Sequence, residues 1–165
     1  MEPVAAVWPQ GRFDGRLAWS DLLYQALDLT LQQRVRHLVW CDPDFVDWPL
    51  GERLFNERLN AWAHAGGQLS LLALDYRRLV QVHARFVQWR TTWSHRVEAR
   101  AAPRELQEGF PTLVCHSGWA AQRTTSAQPA VLAFTEPARV QGLMGQWQSL
   151  WDRSAPAFPA TTLGL

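Results

Sequence analysis

Three aspartates follow an apolar segment in the stretch LVWCDPDFVDW, which covers residues 38–48. Asp42 and Asp44 flank Pro43, so both carboxylates come directly after what reads as a buried strand. Paired carboxylates in that position can hold magnesium, and one can attack phosphorus while the other moves a proton. The same residues also suit a turn, because Asp-Pro favours turns and Asp47 can cap a following helix. We expect the turn.

A strand that ends in D-x-D is typical of haloacid-dehalogenase-like phosphatases. Such sites also need a cation, usually lysine, and a downstream acidic pair for the metal. All 16 basic residues here are arginine, and Asp152 is the only aspartate after residue 75. The absence of lysine also excludes Schiff-base enzymes and the lysine-dependent phosphate sites of Walker-type and kinase-type proteins. We therefore predict no metal and no cofactor.

Histidines and arginines cluster in the segment from residue 83 to residue 100. Guanidinium and imidazole groups together can bind a phosphate or another anion. The alternative is a hydrogen-bonded core histidine, because a helix over residues 76–92 puts His83 on the apolar stripe and turns Arg85 away from it. If a ligand site exists, we expect it at the C-terminal edge of the strands. The candidate ligand-binding residues are Asp42, Asp44, His83, Arg85 and His95.

Cys115, His116 and Ser117 are adjacent and invite a nucleophile–base interpretation. Neighbouring residues in a strand point to opposite faces, so Cys115 and His116 cannot simply pair. There is no G-x-S-x-G nucleophile elbow, and the two cysteines and scattered histidines match no zinc spacing. We predict no catalytic residue. We expect both cysteines, Cys41 and Cys115, to be reduced thiols.

Hydrophobic periodicity predicts helices alternating with strands through the first hundred residues. Helices are predicted over residues 17–33, 49–64, 76–92 and 140–151, with Ser20 as an N-cap of the first. Strands are predicted over residues 4–8, 36–40, 68–74, 95–101, 111–123 and 130–134. This order favours right-handed βαβ units. The fold class is therefore α/β, with a mixed, mostly parallel sheet and helices on both faces.

Composition places the chain among globular proteins. Its 165 residues, 47% hydrophobic and 19% charged, suggest one domain over 1–165 with an irregular tail over 153–165. The net charge of +1 argues against nucleic acid and against an anionic membrane as partners. The first residues lack signal-peptide features and no apolar run is long enough for a membrane helix, so we expect a cytoplasmic protein. We expect most of the ten tryptophans to lie in the core.

Three blocks of the sequence resemble a bacterial family of uncharacterised domains with a phospholipase D-like fold, some of whose relatives are attached to GNAT acetyltransferases. The blocks are RHLVWCDPDFVDWPL, LLALDYRRLVQVHARFVQWRTTWSHRVEAR and LWDRSAPAFPATTLGL. The resemblance covers residues 13–165. It implies a single phospholipase D-type half, and by analogy with such halves a homodimer.

Active phospholipase D-type enzymes use the motif H-x-K-x4-D, and no histidine of this chain fits it. His37 has Asp44 at the aspartate position but Val39 at the lysine position, whereas His83 has arginines at both. A histidine without an orienting carboxylate is a poor nucleophile. We therefore expect a non-catalytic domain that senses a ligand or binds a protein partner. The alternative is a binding protein for phosphate, a nucleotide or another small anion, or a divergent phosphoesterase, that uses the five candidate residues.

Overall fold

The computed structural model describes residues 7–124 and 130–160, in which eight strands form one sheet and five α-helices pack on it. The strands are β1 (Gly11–Asp14), β2 (His37–Cys41), β3 (Gln68–Ala73), β4 (Val97–Ala101), β5 (Thr112–His116), β6 (Trp119–Arg123), β7 (Ala130–Phe134) and β8 (Ala155–Pro156). The helices are α1 (Ala18–Gln32), α2 (Arg53–His64), α3 (Arg77–Val82), α4 (Ala84–Thr92) and α5 (Pro137–Asp152). Short 3-10 turns lie at Pro49–Gly51, Ser94–Arg96 and Arg104–Leu106. The predicted α/β class is confirmed.

The sheet is mixed, with the strand order β1-β7-β6-β5-β2-β3-β4-β8. β2, β3 and β4 run parallel to one another, and every other neighbouring pair is antiparallel. The expectation of a mostly parallel sheet is therefore wrong. The segment 111–123, predicted as one strand, folds back over Ser117 and Gly118 into the β5–β6 hairpin. Two residues suffice for an antiparallel turn, whereas a parallel crossover needs a dozen or more.

Helices cover both faces of the sheet, as predicted, because each central strand is apolar on both sides. In β2, Leu38 and Trp40 point into a core shared with α1, α2 and α4, while Val39 and Cys41 point towards α5. Eight of the ten tryptophans are buried, which confirms their structural role. None of the described helices is both long and apolar enough to cross a bilayer.

Three local predictions need correction. Helix α1 begins at Ala18 after Leu17, so Ser20 lies inside the first turn and is not its N-cap. The strand predicted over residues 4–8 falls largely outside the described residues, and the described Trp8 is not in a strand. Helix α2 has Glu52 at its N-cap position, and the Asp47 carboxylate pairs instead with Arg123, at 3.4 Å between Oδ2 and Nη1.

The helix predicted over residues 76–92 is two helices, α3 and α4, that meet at His83. The backbone of His83 has φ −122° and ψ 60°, which ends α3 and starts α4. Its ring Nε2 lies 2.9 Å from the carbonyl oxygen of Phe45 and donates a hydrogen bond to it. The apolar spacing continues through the break, so periodicity alone does not reveal it.

The turn after α2 packs flat against the Trp62 ring. Gly66 adopts the left-handed conformation with φ 100°, and Gly67 then approaches so closely that a Cβ there would lie 2.3 Å from ring carbons of Trp62. The ring is also held by a hydrogen bond, because its Nε1 donates to the carbonyl of Val35 at 2.8 Å. Position 67 therefore accepts only glycine without rearrangement of the core.

The segment predicted as an irregular tail contains β8, which pairs antiparallel with the end of β4. Its continuation places Phe158 in the core, stacked on Tyr76 with ring centroids 5.1 Å apart. The buried Arg90 donates from Nε to the Phe158 carbonyl at 3.2 Å. Residues 155–158 are thus fixed by both backbone pairing and aromatic packing.

Candidate anion-binding cleft

Asp42 follows β2 and is used to close a turn. Its Oδ1 accepts a hydrogen bond from the Thr112 hydroxyl at 2.5 Å. Its Oδ2 accepts from the backbone N–H groups of Asp44, at 3.0 Å, and Phe45, at 2.6 Å. Burial raises the pKa of the Asp42 carboxyl, and these three hydrogen bonds oppose that rise. Because both oxygens are occupied inside the protein, the geometry is that of a turn and not of a metal ligand.

A cleft of about 400 Å³ opens at the C-terminal edge of the parallel strands. Pro43 and Asp44 follow β2, Leu74 and Asp75 follow β3, and Arg104 follows β4. The N-terminal part of α3 and the 3-10 turn after β4 complete the walls. The remaining lining residues are Arg77, Arg78, Gln81 and Gln107. In α/β sheets this edge, outside the carboxyl ends of parallel strands, is where ligands usually bind.

The cleft carries more positive than negative charge, with three guanidinium groups facing two carboxylates. Asp75 binds Arg77 at 2.8 Å and Arg104 at 3.6 Å, and Asp44 binds Arg78 at 3.2 Å. The three arginine side chains are 65–76% exposed, so their guanidinium groups remain open to solvent. Hydrogen bonds and charge from Arg77, assisted by Arg104, lower the pKa of Asp75. The Asp75 carboxylate therefore keeps its negative charge, and its pairing with these arginines, in mildly acidic solution.

His83 and Arg85 hold the loop before α2 and do not line the cleft. His83 is buried; its Nε2 bonds the Phe45 carbonyl, and its Nδ1 has no hydrogen-bond partner among the described residues. Arg85 donates from Nη1 to the carbonyl of Gly51 at 2.8 Å. Phe45 itself has a positive φ of 60°, so this loop depends on side-chain contacts to hold a rare backbone conformation.

His95 lies at the opposite edge of the sheet, in the 3-10 turn that precedes β4. Of the five candidate residues, Asp44 is the one that lines the cleft. The structure therefore does not bring the five side chains to one site, and their role in ligand binding stays a prediction. Sequence reasoning missed Arg77, Arg78 and Arg104. Their position in the sequence could have indicated the site, because these arginines follow β3 and β4 just as Asp42 and Asp44 follow β2.

Cys115 and His116 point to opposite faces of the sheet, as the strand geometry predicts. The Cys115 thiol packs against Met144 of α5, with 3.0 Å between the sulfurs, and burial raises its pKa to about 12. Burial also raises the pKa of Cys41. On the other face the His116 ring packs on Trp8, with centroids 4.5 Å apart. Burial therefore favours the neutral thiol at both cysteines over the thiolate that a nucleophilic cysteine requires.

His116 makes stability depend on pH. Its Nδ1 accepts the Gly118 N–H at 3.0 Å, and burial lowers its pKa from 6.5 to about 4. The unfolded chain therefore binds this proton more readily, so the stability contribution is complete above pH 6.5 and is lost as pH falls through about 4. We expect a loss of about 2 kcal/mol, after allowance for solvent screening. Denaturant unfolding across this range measures it.

His116→Asn is the matched control for that experiment, because the asparagine oxygen can still accept the Gly118 N–H but does not titrate. Its unfolding free energy should lack the part of the pH dependence that His116 causes. Identical pH profiles for the two proteins would show that His116 is not the titrating group.

No family model matches this chain, and no curated protein matches it. The resemblance to a bacterial family with GNAT-attached relatives therefore stays a prediction. Among solved structures, the chain is similar to TrmBL2, an archaeal chromatin protein with a novel mode of DNA binding, at 10% identity and a TM-score of 0.63. The match covers 89% of this chain and 53% of TrmBL2, so this chain spans about half the length of that protein.

The similarity to TrmBL2 corrects the expectation that nucleic acid is not a partner. That expectation rested on the net charge of +1. A net charge sums the whole surface and says nothing about how charge is distributed, and a DNA-binding protein contains the same fold. Nucleic acid is therefore not excluded as a partner.

Two further structures match over almost their entire length. Nuc from Salmonella typhimurium, a phospholipase D family member, aligns at 10% identity with a TM-score of 0.59, covering 89% of this chain and 96% of that chain. NucT from Helicobacter pylori aligns at 6% identity with a TM-score of 0.57, covering 89% and 98%. At such identities the agreement concerns architecture alone. The chain has the phospholipase D-like fold.

Proposed function

We propose that this chain is a non-catalytic phospholipase D-like module that binds a phosphate-bearing ligand in the arginine-lined cleft. The observation that carries the proposal is the charge arrangement of that cleft. Arg77, Arg78 and Arg104 surround it, and Asp44 and Asp75 neutralise two of their three charges. The site lies where the fold class places ligands, at the carboxyl ends of parallel strands.

Little free energy is lost when a phosphate replaces a carboxylate in the ion pairs of the cleft. Pairs as exposed as these contribute about 0–1 kcal/mol each. Charge-assisted contacts from arginine to phosphate are stronger, and the planar guanidinium matches phosphate oxygens two at a time. A phosphate can therefore displace Asp75 from Arg77 and Arg104 at little cost.

A binding role fits the cleft better than a catalytic one. No histidine or cysteine is among its described lining residues, and both oxygens of the nearby Asp42 are engaged in hydrogen bonds. The H-x-K-x4-D motif is missing from the sequence. An alternative role as a protein-interaction module would place Trp48 or Trp93 in an exposed apolar patch. Trp48 is buried, and Trp93 is partly buried against the core.

The phosphate could belong to a small molecule or to a nucleic acid backbone, and both fit guanidinium recognition. The first test compares inorganic phosphate, a nucleoside diphosphate and a short DNA duplex by calorimetry and by melting temperature. A ligand at about 100 times its Kd should stabilise the protein by about 2.7 kcal/mol, which is a rise of about 5–10 °C. Tight binding of DNA alone would identify the backbone as the source.

Substitution of the cleft arginines is expected to weaken binding. Arg77→Gln with Arg104→Gln removes the two charges shared by Asp75, so the Kd for the bound phosphate compound should rise about tenfold to a hundredfold. Asp75→Asn should have the opposite effect, because it removes the competing carboxylate. Arg53→Gln is the matched control, since Arg53 is also exposed and paired, with Glu57, but lies outside the cleft. An unchanged Kd in the double variant would overturn the proposal.

A further inference from the structure

Two adjoining hollows lie at the N-terminal edge of β2, β3 and β4, across the sheet from the arginine-lined cleft. One has a volume of about 370 Å³ and the other about 460 Å³. They share a wall made of His37, Gln68 and Arg96. His95 lines the first hollow, and Arg36 and His64 line the second. Every ionisable lining residue except Glu98 carries or can acquire positive charge.

The arginines of this edge are not neutralised. Neither Arg36 nor Arg96 forms an ion pair with any described residue. Arg96 donates from Nη1 to the Gly66 carbonyl at 3.4 Å, and its Nε is buried without a hydrogen-bond partner in the described structure. A guanidinium without a carboxylate partner keeps its full charge available for an anionic ligand.

The carboxylates near this edge leave that positive charge largely intact. Glu98 of β4 lines the first hollow, but its carboxylate is already paired with Arg100 at 3.3 Å. From α5, Gln148 faces the same hollow and donates to Asp152 at 2.8 Å. Asp152 is not among the residues that line either hollow.

Three imidazoles surround the two hollows. The His37 Nε2 lies 2.8 Å from the Ser70 hydroxyl oxygen, and burial lowers the pKa of His37 while Glu98 opposes that change. His64 and His95 both pack on Trp93, with ring centroids 4.7 Å and 5.9 Å from it. A protonated imidazole at this edge adds positive charge beside Arg36 and Arg96, and imidazole is the side chain suited to change its charge between about pH 5 and pH 8.

We propose that this edge of the sheet binds an anion with two charged centres, of the diphosphate type, and holds it more tightly as the pH falls. One charged centre would occupy each hollow, with Arg96 and His37 between them. The site is independent of the arginine-lined cleft, because the two lie at opposite ends of the same strands and share no lining residue.

The probe for this site is 1,2-ethanedisulfonate, with sulfate as the single-centre comparison. Sulfonates stay ionised throughout the range, so any pH dependence of binding reports on the protein. Titrations use the Arg77→Gln, Arg104→Gln protein, which has a weakened arginine-lined cleft. The disulfonate affinity should rise about tenfold or more between about pH 7.5 and about pH 5.5, since each pKa unit gained by an imidazole on binding gives a factor of ten.

Substitutions separate this site from general charge effects. Arg36→Gln with Arg96→Gln should weaken disulfonate binding at least about tenfold. Arg34→Gln should leave it unchanged, because Arg34 is exposed and lines neither hollow. Proton NMR of the imidazole rings gives a readout that needs no variant: added disulfonate should raise the pKa of His37, His64 and His95.

The outcomes are decisive in either direction. A disulfonate affinity that does not change with pH, or that survives loss of Arg36 and Arg96, would overturn the site. Histidine pKa values that do not move in the unsubstituted protein would do the same, even if the double variant fails to fold. Sulfate that binds as tightly as the disulfonate would overturn the two-centre ligand.

Discussion

Gly67→Ala is expected to lower the free energy of unfolding by about 3 kcal/mol or more. The added Cβ would lie 2.3 Å from two ring carbons of Trp62 and 2.7 Å from its Nε1. The ring is 2% exposed and cannot move aside without breaking its hydrogen bond to the Val35 carbonyl. Overpacking of a core typically costs about 1–3 kcal/mol, and a buried N–H left without its acceptor costs a similar amount.

Gly142→Ala is the matched control for that substitution. Gly142 lies inside α5, and a Cβ there would meet no atom within 4 Å. The same chemical change should therefore stabilise the protein by about 0.5–1 kcal/mol, because alanine is the better helix former. Thermal and denaturant unfolding of both variants measures the contrast. If Gly67→Ala melts within a degree or two of Gly142→Ala, the Trp62 contact is not as tight as described.

The second large effect is expected at Asp42. Asp42→Ala removes the acceptor for the Thr112 hydroxyl and for the N–H groups of Asp44 and Phe45. Each buried group left unsatisfied costs about 1–3 kcal/mol, so we expect a loss of about 3 kcal/mol after the relief of a buried carboxylate is included. Denaturant unfolding at neutral pH measures this loss.

Asp42→Asn tests whether the turn explains that effect. The amide oxygen can accept both backbone N–H groups, and the amide nitrogen can donate to the Thr112 oxygen. We expect a loss of about 1 kcal/mol, with phosphate binding in the arginine-lined cleft preserved. Asp47→Ala should cost about 0.5 kcal/mol or less, since Asp47 forms one exposed ion pair with Arg123. An Asp42→Asn protein that is stable but has lost phosphate binding would instead give Asp42 a direct ligand role.

Much of the fold follows from local sequence patterns. The apolar runs of β2 and β3 and the 3.6-residue spacing of α1 and α5 are strong because packing on both sides of the sheet imposes them. The hairpin at Ser117 and Gly118 is less evident, since His116 and Trp119 are both buried and the apolar character continues through the turn. The predicted mixed sheet is confirmed, but its antiparallel majority depends on that hairpin and on the pairings made by β7 and β8, which lie beyond the first hundred residues.

Long-range contacts explain what the sequence does not reveal. The break at His83 depends on the carbonyl of Phe45, 38 residues earlier in the chain. The placement of His95 was predictable in principle, because residues that precede a parallel strand lie at the opposite edge from residues that follow its neighbour. By the same rule, Arg77 and Arg104 should have been grouped with Asp44.

The last described segment also has a consequence for self-association. Without β8, the end of β4 would present unpaired backbone groups to another chain, which is how edge strands join and aggregate. Ala157 donates to the Ala99 carbonyl, so the position whose N–H would face outwards is Pro156, which has none. The segment therefore pairs with the end of β4, and its own outer side offers no N–H group at Pro156 with which another chain could pair. A chain cut after residue 154 should be less stable, because it loses Phe158 from the core, and more prone to aggregation, because the end of β4 is then unpaired.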